Sequence, residues 1–465
     1  MGRPVGTAPS VVRPASGGRE SAPFTFVDLF AGIGGFHAAL SALGGRCVYA
    51  SEIDLAAARV YERNWGLAPA GDIVEATEQR MDVPEHDVLV AGFPCQPFSK
   101  SGMQRGMDEA RGTLFWNILR VVEERSPSVV LLENVRNLAG PRHRHEWHVI
   151  IKSLRQLGYR VSSAPAVFSP HLLPPDQGGR PQVRERVFIA ATRVEDLDDA
   201  WTDMPPVVTP RAEGWDPSVW DIEDYLDPEG STVTPATRMT AAEVRWVSAW
   251  DDFVQSLRRA GELRLPGFPI WADEFRLPED LVVSMVTPTW KAGFLRKNAV
   301  LYARHRDVID AWLDRWDGLE GFPPSRRKLE WQAQDATSLW DTVLHFRPSG
   351  IRAKRATYLP ALVAITQTSV VASRRRRLTV REAARLQGLP EWFDFGDQRD
   401  AASFKQLGNA VNVGVVHHVL RQHVLRDADL LGTKSPLVRA AAEASPDPSA
   451  LLDAHRGRGG HLEAS

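Results

Sequence analysis

From Phe24 to about Ala191, short apolar runs alternate with amphipathic stretches of helical period, and this alternation constrains the fold more than any other feature of the sequence. The pairs are FTFVDLF with GGFHAALSAL, CVYASEI with LAAARVYERNW, DVLVAGF with TLFWNILRVVEER, and SVVLLENV with EWHVIIKSLRQLG. Such alternation is typical of βαβ units around a largely parallel sheet. The sequence therefore predicts an α/β domain over residues 24–191.

The other parts of the chain differ in composition from this region. Residues 1–23 are rich in Gly, Pro, Ser and Arg without a period, which predicts a disordered leader. Residues 192–400 carry Trp-, Pro- and Arg-rich pieces without a clear period, so we expect a separate, smaller and irregular domain. The apolar spacing of FKQLGNAVNVGVVHHVLRQHVL predicts a helix within residues 401–432. Residues 433–465, rich in Ala, Ser, Pro, Asp and Gly, are expected to form a disordered tail.

The composition argues against several classes of protein. No apolar stretch approaches the roughly 18 to 20 residues of a membrane span, and the N-terminus lacks an apolar signal-peptide core, so we expect a cytoplasmic protein without membrane contact. The two cysteines, Cys47 and Cys95, form neither a disulfide framework nor a C-x-x-C pair for zinc. The net charge of −2 leaves the partner open, although local basic clusters could still bind nucleic acid.

A glycine-rich turn, F-A-G-I-G-G at Phe30 to Gly35, follows the first predicted strand. Glycines let the backbone approach a ligand closely, and the next helix starts there with exposed amide groups. Glu52 ends the next strand about 20 residues later, where an acidic residue accepts hydrogen bonds from ribose hydroxyls. The pair indicates an adenosine-containing cofactor, and Asp72 in GDI lies where an adenine edge could be read. The spacing is not G-x-G-x-x-G, so a tight turn in an ordinary α/β protein remains an alternative.

Cys95 directly follows the apolar run DVLVAGF, which places its thiol at the carboxyl edge of the sheet, beside the expected cofactor. Pro94 and Pro97 restrict the backbone around it, and a polar, glycine-containing loop follows. A thiol on a stiff turn beside a loop is a candidate nucleophile. Cys47, inside an apolar run, is interpreted as a core thiol.

Two further groups of polar residues lie near strand ends. Glu133 ends the strand SVVLLENV at the same edge, and a carboxyl in a closed pocket can hold a raised pKa and donate a proton. In PQVRERVFIA, a period of two places Gln182, Arg184 and Arg186 on one face of a strand. Such a face suits an anion, although an exposed edge with alternating arginines would look the same.

The motifs together resemble those of the DNA (cytosine-5)-methyltransferases. The shared motifs, in the family's order, are DLFAGIGG, SEID, GDI, FPCQPFSKSG, RGTLF, ENVRNL, QVRER, RLTVREAARLQGLP and QLGNAV. They cover residues 24 to about 190 and about 376 to 420, and the stretch between them corresponds to the family's variable target-recognition region. Val380 and Leu389 stand where Pro and Phe are common, which affects packing more than chemistry. The resemblance implies a Rossmann-like, S-adenosylmethionine-dependent methyltransferase domain with a smaller target-recognition domain.

The resemblance also implies a mechanism. Cys95 would attack carbon 6 of a cytosine flipped out of double-stranded DNA, while Glu133 hydrogen-bonds or protonates ring nitrogen 3. Carbon 5 would then take the methyl group of S-adenosylmethionine, and loss of its proton and of the thiolate would restore the ring. Arg186 would contact the base oxygen, and Arg184 would support that pocket.

Further residues carry over from the family's motifs. The expected cofactor contacts are Phe30, Gly32, Gly34, Gly35, Glu52, Ile53, Asp72, Ile73, Pro94, Leu114 and Asn409. The expected DNA contacts are Ser99, Ser101, Gln104, Arg105, Arg111 and Gln182. The resemblance places the helix within residues 401–432 against the first βα unit, so that the chain crosses the small domain and returns. It also implies a monomer that protects host DNA, with a cognate restriction endonuclease as its functional partner.

Other prominent stretches have plainer interpretations. His143, His145 and His148 lack metal-ligand spacing, so we expect solvated surface and no metal site. Residues 374–377 are four arginines that could bind phosphates or form a charged loop. Three segments mix basic and aromatic residues and favour DNA contact: WKAGFLRKNAVLYARHR, SRRKLEWQAQ and RPSGIRAKR.

Three other functions fit the sequence less well. Relatives that methylate tRNA generally lack so long an intervening region. A catalytically silent DNA-binding regulator would be expected to lose Cys95 or Glu133, and both are present. A nicotinamide dehydrogenase would explain the glycine turn and Glu52 but leaves the PCQ and ENV motifs without a role.

Overall fold

A computed structural model of the chain describes most of its residues. They are residues 22–78, 81–94, 113–207, 212–231, 234, 236–262, 264–362, 369–449 and 452. The predicted leader lies almost wholly outside them, as do residues 453–465 of the predicted tail.

Within the described residues, the first domain is built on a seven-stranded sheet, with strand order β2-β1-β3-β4-β8-β5 and β6 paired to β8. The strands are β1 (Thr25–Leu29), β2 (Arg46–Ser51), β3 (Val88–Gly92), β4 (Val129–Val135), β5 (Tyr159–Val161), β6 (Ala166–Phe168) and β8 (Arg186–Arg193). The first four strands run parallel, and β8 joins them antiparallel. The predicted α/β fold is confirmed, with an antiparallel part that the alternating pattern did not show.

Helices cover both faces of this sheet, which explains why its central strands β3 and β4 begin as continuous apolar runs. The helices are α1 (Gly35–Ala42), α2 (Leu55–Trp65), α3 (Ile73–Glu78), α4 (Leu114–Arg125), α5 (Arg144–Gln156) and α6 (Leu197–Trp201). Alternate residues of a strand belong to different cores: Val90 packs with α1, whereas Leu89 packs with α4 and α5. The carboxyl ends of β1 to β4 therefore meet at one edge above a rigid, doubly covered sheet.

The small domain has a regular core of its own. Its sheet has the order β15-β14-β11-β12-β10-β9. The strands are β9 (Ile270–Trp271), β10 (Lys328–Gln332), β11 (Thr342–Arg347), β12 (Gly350–Arg355), β14 (Val370–Val371) and β15 (Arg376–Arg377), and the helices are α7 (Ala241–Arg259), α8 (Thr289–Arg304) and α9 (Arg306–Arg315). The region that lacks a clear period in sequence therefore contains a six-stranded sheet. The period was hidden because the strands are two to six residues long and carry many basic side chains on one face.

The boundaries predicted for the small domain, 192–400, are too wide. Its separate hydrophobic core spans Val247 to Ala372. Ile222 before this core, and Leu378 and Phe393 after it, pack instead into the core of the α/β domain. A two-residue ladder between β7 (Gln182–Val183) and β13 (Leu359–Pro360) adds a further link between early and late parts of the chain.

After the small domain, the chain returns to the α/β domain. The returning helices are α10 (Val380–Leu386), α11 (Asp400–Asn409) and α12 (Val413–Arg426). Helix α12 packs on α1. At this junction Gly35 has no room for a side chain, since a Cβ there would lie 2.8 Å from the Val411 side chain. None of the helices in the described ranges is long and apolar enough to cross a membrane.

The prediction of a disordered tail is wrong for its first part. The chain continues in α13 (Ala428–Leu431) and α14 (Pro436–Glu443), and α14 packs on α12 with Leu437 and Val438 buried. The alanines of α14 favour a helix, because alanine is the best helix former and is small enough to pack closely. Ser435 at the N-cap and Pro436 at the first helical position mark the start of this helix.

Candidate active site

The glycine turn after β1 holds a carboxylate at the sheet edge. Phe30 and Gly32 have positive φ angles of 59° and 57°, a backbone that is rare for a residue with a side chain such as Phe30. The Gly32 amide donates to Glu52 Oε2 at 2.8 Å, and the Asp54 amide donates to Oε1 at 2.7 Å. Each carboxylate oxygen keeps a second lone pair, so Glu52 can still accept hydrogen bonds from a vicinal diol.

Two other glycines of the turn serve packing. A Cβ on Gly34 would lie 2.1 Å from Trp65 Nε1, and one on Gly35 would overlap Val411. The Trp65 indole donates to the Ile33 carbonyl at 3.0 Å, which fixes α2 against the turn. Neither Gly34 nor Gly35 lines the cavity described next, and both shape the turn; their cofactor contacts stay a prediction.

A cavity of about 460 Å³ opens at the carboxyl ends of β1, β3 and β4, under α11. Its lining residues are Phe30, Gly32, Ile33, Glu52, Asp54, Ala57, Gly92, Phe93, Pro94, Glu133, Asn134, Val135, Arg186, Lys405, Gln406, Gly408 and Asn409. This volume lies within the range of small-molecule and cofactor sites. The cavity joins two predicted sets of residues, the cofactor contacts and the Glu133–Arg186 group.

Besides Gly34 and Gly35, four predicted cofactor residues lie outside this lining. Ile53 follows Glu52 with 67% of its surface exposed. Asp72 Oδ1 accepts a hydrogen bond from the Val74 amide at 2.9 Å at the start of α3. Ile73 is buried in the core that contains Leu89, and its cofactor contact stays a prediction. Leu114 begins α4 and packs against the same core.

Sequence reasoning missed three polar residues of the cavity. Lys405 Nζ lies 3.6 Å from Asp54 Oδ2, so an ion pair links α11 to the start of α2. Gln406 on α11 also lines the cavity and exchanges hydrogen bonds with Gln398. The sequence of α11 alone does not predict the Lys405–Asp54 ion pair, because these two residues are about 350 positions apart.

Glu133 and Arg186 form an ion pair on one wall of the cavity. Arg186 Nε lies 2.9 Å from Glu133 Oε1 on the neighbouring antiparallel strand. Burial raises the pKa of the Glu133 carboxyl, while the positive charges of Arg186 and Arg184 oppose that rise. The next residue, Asn134, donates from Nδ2 to the Phe93 carbonyl at 2.8 Å and thereby anchors the backbone that leads to Pro94.

Arg184 is a buried clamp rather than a cavity residue. Its guanidinium donates to three carbonyl oxygens, those of Leu362 at 3.1 Å, Gly408 at 2.9 Å and Ala410 at 2.6 Å. These bonds flank Asn409 and hold it at the cavity. Burial, together with the nearby charge of Arg186, lowers the pKa of Arg184 to about 9. Arg184 therefore supports the pocket indirectly, because it positions the backbone on either side of Asn409.

One predicted DNA contact, Gln182, is buried in the structure. It has no exposed surface on β7, which pairs with β13, and its side-chain amide has no hydrogen-bond partner among the described residues. The predicted nucleophile and the other predicted DNA contacts lie outside the described residues; they are Cys95, Ser99, Ser101, Gln104, Arg105 and Arg111. The last described residue before them, Pro94, lines the cavity.

The four consecutive arginines at 374–377 have structural partners. Arg374, Arg376 and Arg377 pair with Glu223, Glu382 and Glu243. The Arg375 guanidinium lies 4.8 Å from the centroid of the Trp340 ring. These contacts favour a charged linker between the domains over a phosphate site.

Comparisons with known proteins agree with this geometry. The sequence profile of the family "C-5 cytosine-specific DNA methylase" matches residues 24–425. The chain belongs to this family. It is a DNA (cytosine-5-)-methyltransferase, and S-adenosylmethionine is its methyl donor. The residues around the cavity fit that cofactor, because the Glu52 carboxylate keeps free lone pairs for the ribose and Phe30 offers an aromatic surface beside it.

Individual relatives differ in how much of the methylase they match. Type II methyltransferase M.AluI of Cellulosimicrobium cellulans is 51% identical over 492 aligned residues, covering 89% of this chain and 94% of that protein. Type II methyltransferase M.HhaI of Haemophilus parahaemolyticus is 44% identical over 168 residues, covering 36% of this chain and 49% of that protein. Among solved structures, S. pombe Dnmt2 methyltransferase matches 87% of this chain and 99% of that chain, at 17% identity and a TM-score of 0.45.

Proposed function

We propose that this methylase acts on a cytosine flipped out of double-stranded DNA, through a transient bond between Cys95 and carbon 6 of the base. The observation that carries the proposal is the Glu133–Arg186 pair on the wall of the cavity that also contains Glu52. A duplex keeps carbon 6 out of reach, so the base has to leave the stack to enter this cavity. S-adenosylmethionine supplies the methyl group when bound.

Glu133 has the properties that the addition step requires. When the Cys95 thiolate forms a bond to carbon 6, negative charge develops on the ring, and a proton from Glu133 at nitrogen 3 neutralises it. Carbon 5 thereby becomes nucleophilic. After carbon 5 has taken the methyl group, nitrogen 3 returns its proton to Glu133. Loss of the carbon 5 proton to solvent then supplies the electron pair that expels the Cys95 thiolate and restores the aromatic ring. Arg186 fixes the orientation of the carboxyl and donates to the base oxygen.

Three elements hold the cofactor in this proposal. Glu52 binds the ribose hydroxyls, and Phe30 packs against the base of the nucleoside. Asn409, held by the Arg184 clamp, closes the cavity from the returning segment. The Lys405–Asp54 ion pair lies at the cavity wall and links α11 to the start of α2.

We also propose that the methylase recognises the same DNA sequence as M.AluI. The alignment with M.AluI covers most of the chain, including the small domain, whereas that with M.HhaI covers about a third of it. Base contacts specify a DNA sequence, and the small domain is the part that the shared motifs do not occupy. In this proposal the methylase is a cytoplasmic monomer that protects host DNA from a cognate restriction endonuclease.

Bisulfite sequencing tests both proposals. This protein and M.AluI are expressed separately in a methylation-deficient bacterial host, with Cys95→Ala as the inactive control. We expect protected cytosines at one short motif, the same for both proteins, and none with the variant. A different motif would contradict the target assignment, and protection that survives Cys95→Ala would contradict the covalent mechanism.

A further inference from the structure

An ion pair joins two walls of the cavity at its rim. One wall is formed by the glycine turn and the start of α2, and the other is formed by α11. Asp54 and Lys405 line these two walls, and Lys405 Nζ lies 3.6 Å from Asp54 Oδ2. Their side chains are 46% and 59% exposed, whereas Glu133 and Asn134, which also line the cavity, are buried. The pair therefore lies where the cavity meets solvent.

The local structure directs both charges toward the cavity. Lys405 and Asn409 are four residues apart on α11, so they share one face of the helix, and both line the cavity. Asp54 Oδ1 caps α2 by accepting hydrogen bonds from two amides, at 3.0 and 3.3 Å, which leaves Oδ2 for Lys405. The Asp54 amide donates to Glu52 Oε1, so the pair lies beside the carboxylate proposed to bind the ribose.

Other contacts already hold α2 to the returning part of the chain. The Asn64 side chain exchanges two hydrogen bonds with the backbone of Asp394, at 2.8 and 2.7 Å. Arg63 pairs with Asp394 at 3.2 Å, and neither of these two residues lines the cavity. Because an exposed ion pair contributes little to stability, the fold does not depend on the Lys405–Asp54 pair. Its effect is expected at the cavity.

We propose that the Lys405–Asp54 pair controls the rate of cofactor exchange, because it closes the rim and has to open whenever S-adenosylmethionine enters or the demethylated product leaves. This inference rests on the proposed function, which places the cofactor in this cavity. A barrier at the rim slows entry and exit by the same factor and leaves the affinity unchanged. A side chain that contacts the cofactor directly would instead act mainly on dissociation.

The variants remove charge without removing structure. Lys405→Met keeps an unbranched side chain that favours a helix. Asp54→Asn keeps the side-chain oxygen that caps α2, since asparagine and aspartate are equally good N-caps. Lys405→Arg keeps the charge. Arg63→Gln is the matched control, because it breaks an exposed ion pair of α2 that lies outside the cavity lining. We expect all four unfolding temperatures within about 2 °C of the wild type.

Surface plasmon resonance on the immobilised full-length protein gives the association and dissociation rate constants of S-adenosylmethionine. For Lys405→Met and for Asp54→Asn we expect both rate constants to rise about 3-fold, with Kd within about 2-fold of the wild type, because exposed ion pairs change a rate by up to about 5-fold. The double variant should match either single variant, since all three lack the same pair. Lys405→Arg and Arg63→Gln should keep the wild-type rate constants.

Two results would overturn control by the ion pair. One is unchanged rate constants in Lys405→Met and Asp54→Asn, or additive effects in the double variant. The other is a change in dissociation alone, which would make Lys405 a direct cofactor contact. The position of the cofactor is tested separately by Glu52→Ala, which should weaken binding at least about 10-fold through loss of charge-assisted hydrogen bonds. Wild-type affinity in Glu52→Ala would contradict the proposed function, whatever the rate constants of the other variants.

Discussion

At the residue scale, Glu133 combines burial with a nearby positive charge. Burial raises its pKa and favours the protonated carboxyl, while Arg186 at 2.9 Å favours the carboxylate. The proposed function uses this carboxyl to give a proton to the base and take it back. Glu185, in contrast, lies outside the cavity and pairs with exposed Arg136.

Glu133→Gln keeps a hydrogen-bonding group but cannot transfer a proton. We expect the single-turnover methylation rate to fall by at least about 100-fold, the lower range for losing a general acid. Calorimetry should show S-adenosylmethionine affinity within about 2-fold of the wild type, because the proposed function assigns the ribose hydroxyls to Glu52 and not to Glu133. Glu185→Gln is the control and should methylate normally, and a rate for Glu133→Gln within 3-fold of the wild type would rule out proton transfer by Glu133.

The sequence was sufficient to predict the residues that end the strands of the sheet. Phe30, Glu52 and Glu133 follow apolar runs, and parallel strands bring such ends to one edge. Lys405 was not predictable in this way, because its partner Asp54 lies on a distant helix. The resemblance implied a supporting role for Arg184, but its partners could not be predicted, since they are backbone carbonyls, which any residue carries.

At the element scale, α14 is a short helix that the amino-acid composition of the region did not predict. The helix is only eight residues long and three of them are alanine, yet Leu437 and Val438 lie in the core against α12. Serine followed by proline at the start was the available signal. The helix supports α12, which in turn covers the sheet below the cavity.

Truncation after Gly432 should therefore destabilise the protein. Each buried Leu or Val contributes about 1.5–3 kcal/mol, so loss of α14 should lower the unfolding temperature by at least about 5 °C. Differential scanning calorimetry is the measurement. Truncation after Leu452 retains α14 and should leave the unfolding temperature unchanged, and equal unfolding temperatures for the two truncations would show that α14 contributes nothing.

Buried histidines on α12 predict a loss of stability in acid. Burial lowers the pKa of His417 to about 4, with Arg421 and His418 adding to the shift and Asp447 opposing it. An unfolded histidine has a pKa near 6.5, so the unfolded chain binds more protons between pH 6.5 and 4, and the free energy of unfolding falls as pH drops through that window. Urea unfolding at several pH values should show a decline that His417→Leu makes shallower by up to about 1.4 kcal/mol per pH unit. An unchanged slope would contradict a neutral, buried His417.

At the scale of the whole molecule, the chain leaves the α/β domain after β8, builds the small domain and returns through α10 to α12. The shared motifs lie before and after the small domain in sequence, which is why the two-domain architecture could be predicted. The boundaries could not, because residues 192–231 and 378–400 are irregular in sequence and only packing assigns them to the α/β core.

Replacing residues 240–372 by the corresponding region of M.HhaI should transfer target choice. This stretch contains the separate core of the small domain, and the cavity residues of the α/β domain stay in place. Sequencing of methylated DNA is expected to show the M.HhaI motif in the chimera. A folded chimera that still methylates the original motif would mean that recognition lies elsewhere.

Covalent trapping tests the central claim most directly, namely that Cys95 adds to the cytosine ring before methyl transfer. A duplex carrying 5-fluorocytosine at the target is incubated with the protein and S-adenosylmethionine, and fluorine cannot leave as a cation, so the adduct should persist. We predict a protein–DNA complex stable to denaturing electrophoresis, with mass spectrometry placing the base on the peptide that contains Cys95, and no complex with Cys95→Ala. Methyl transfer to ordinary cytosine by Cys95→Ala, or an adduct on a different residue, would contradict the account.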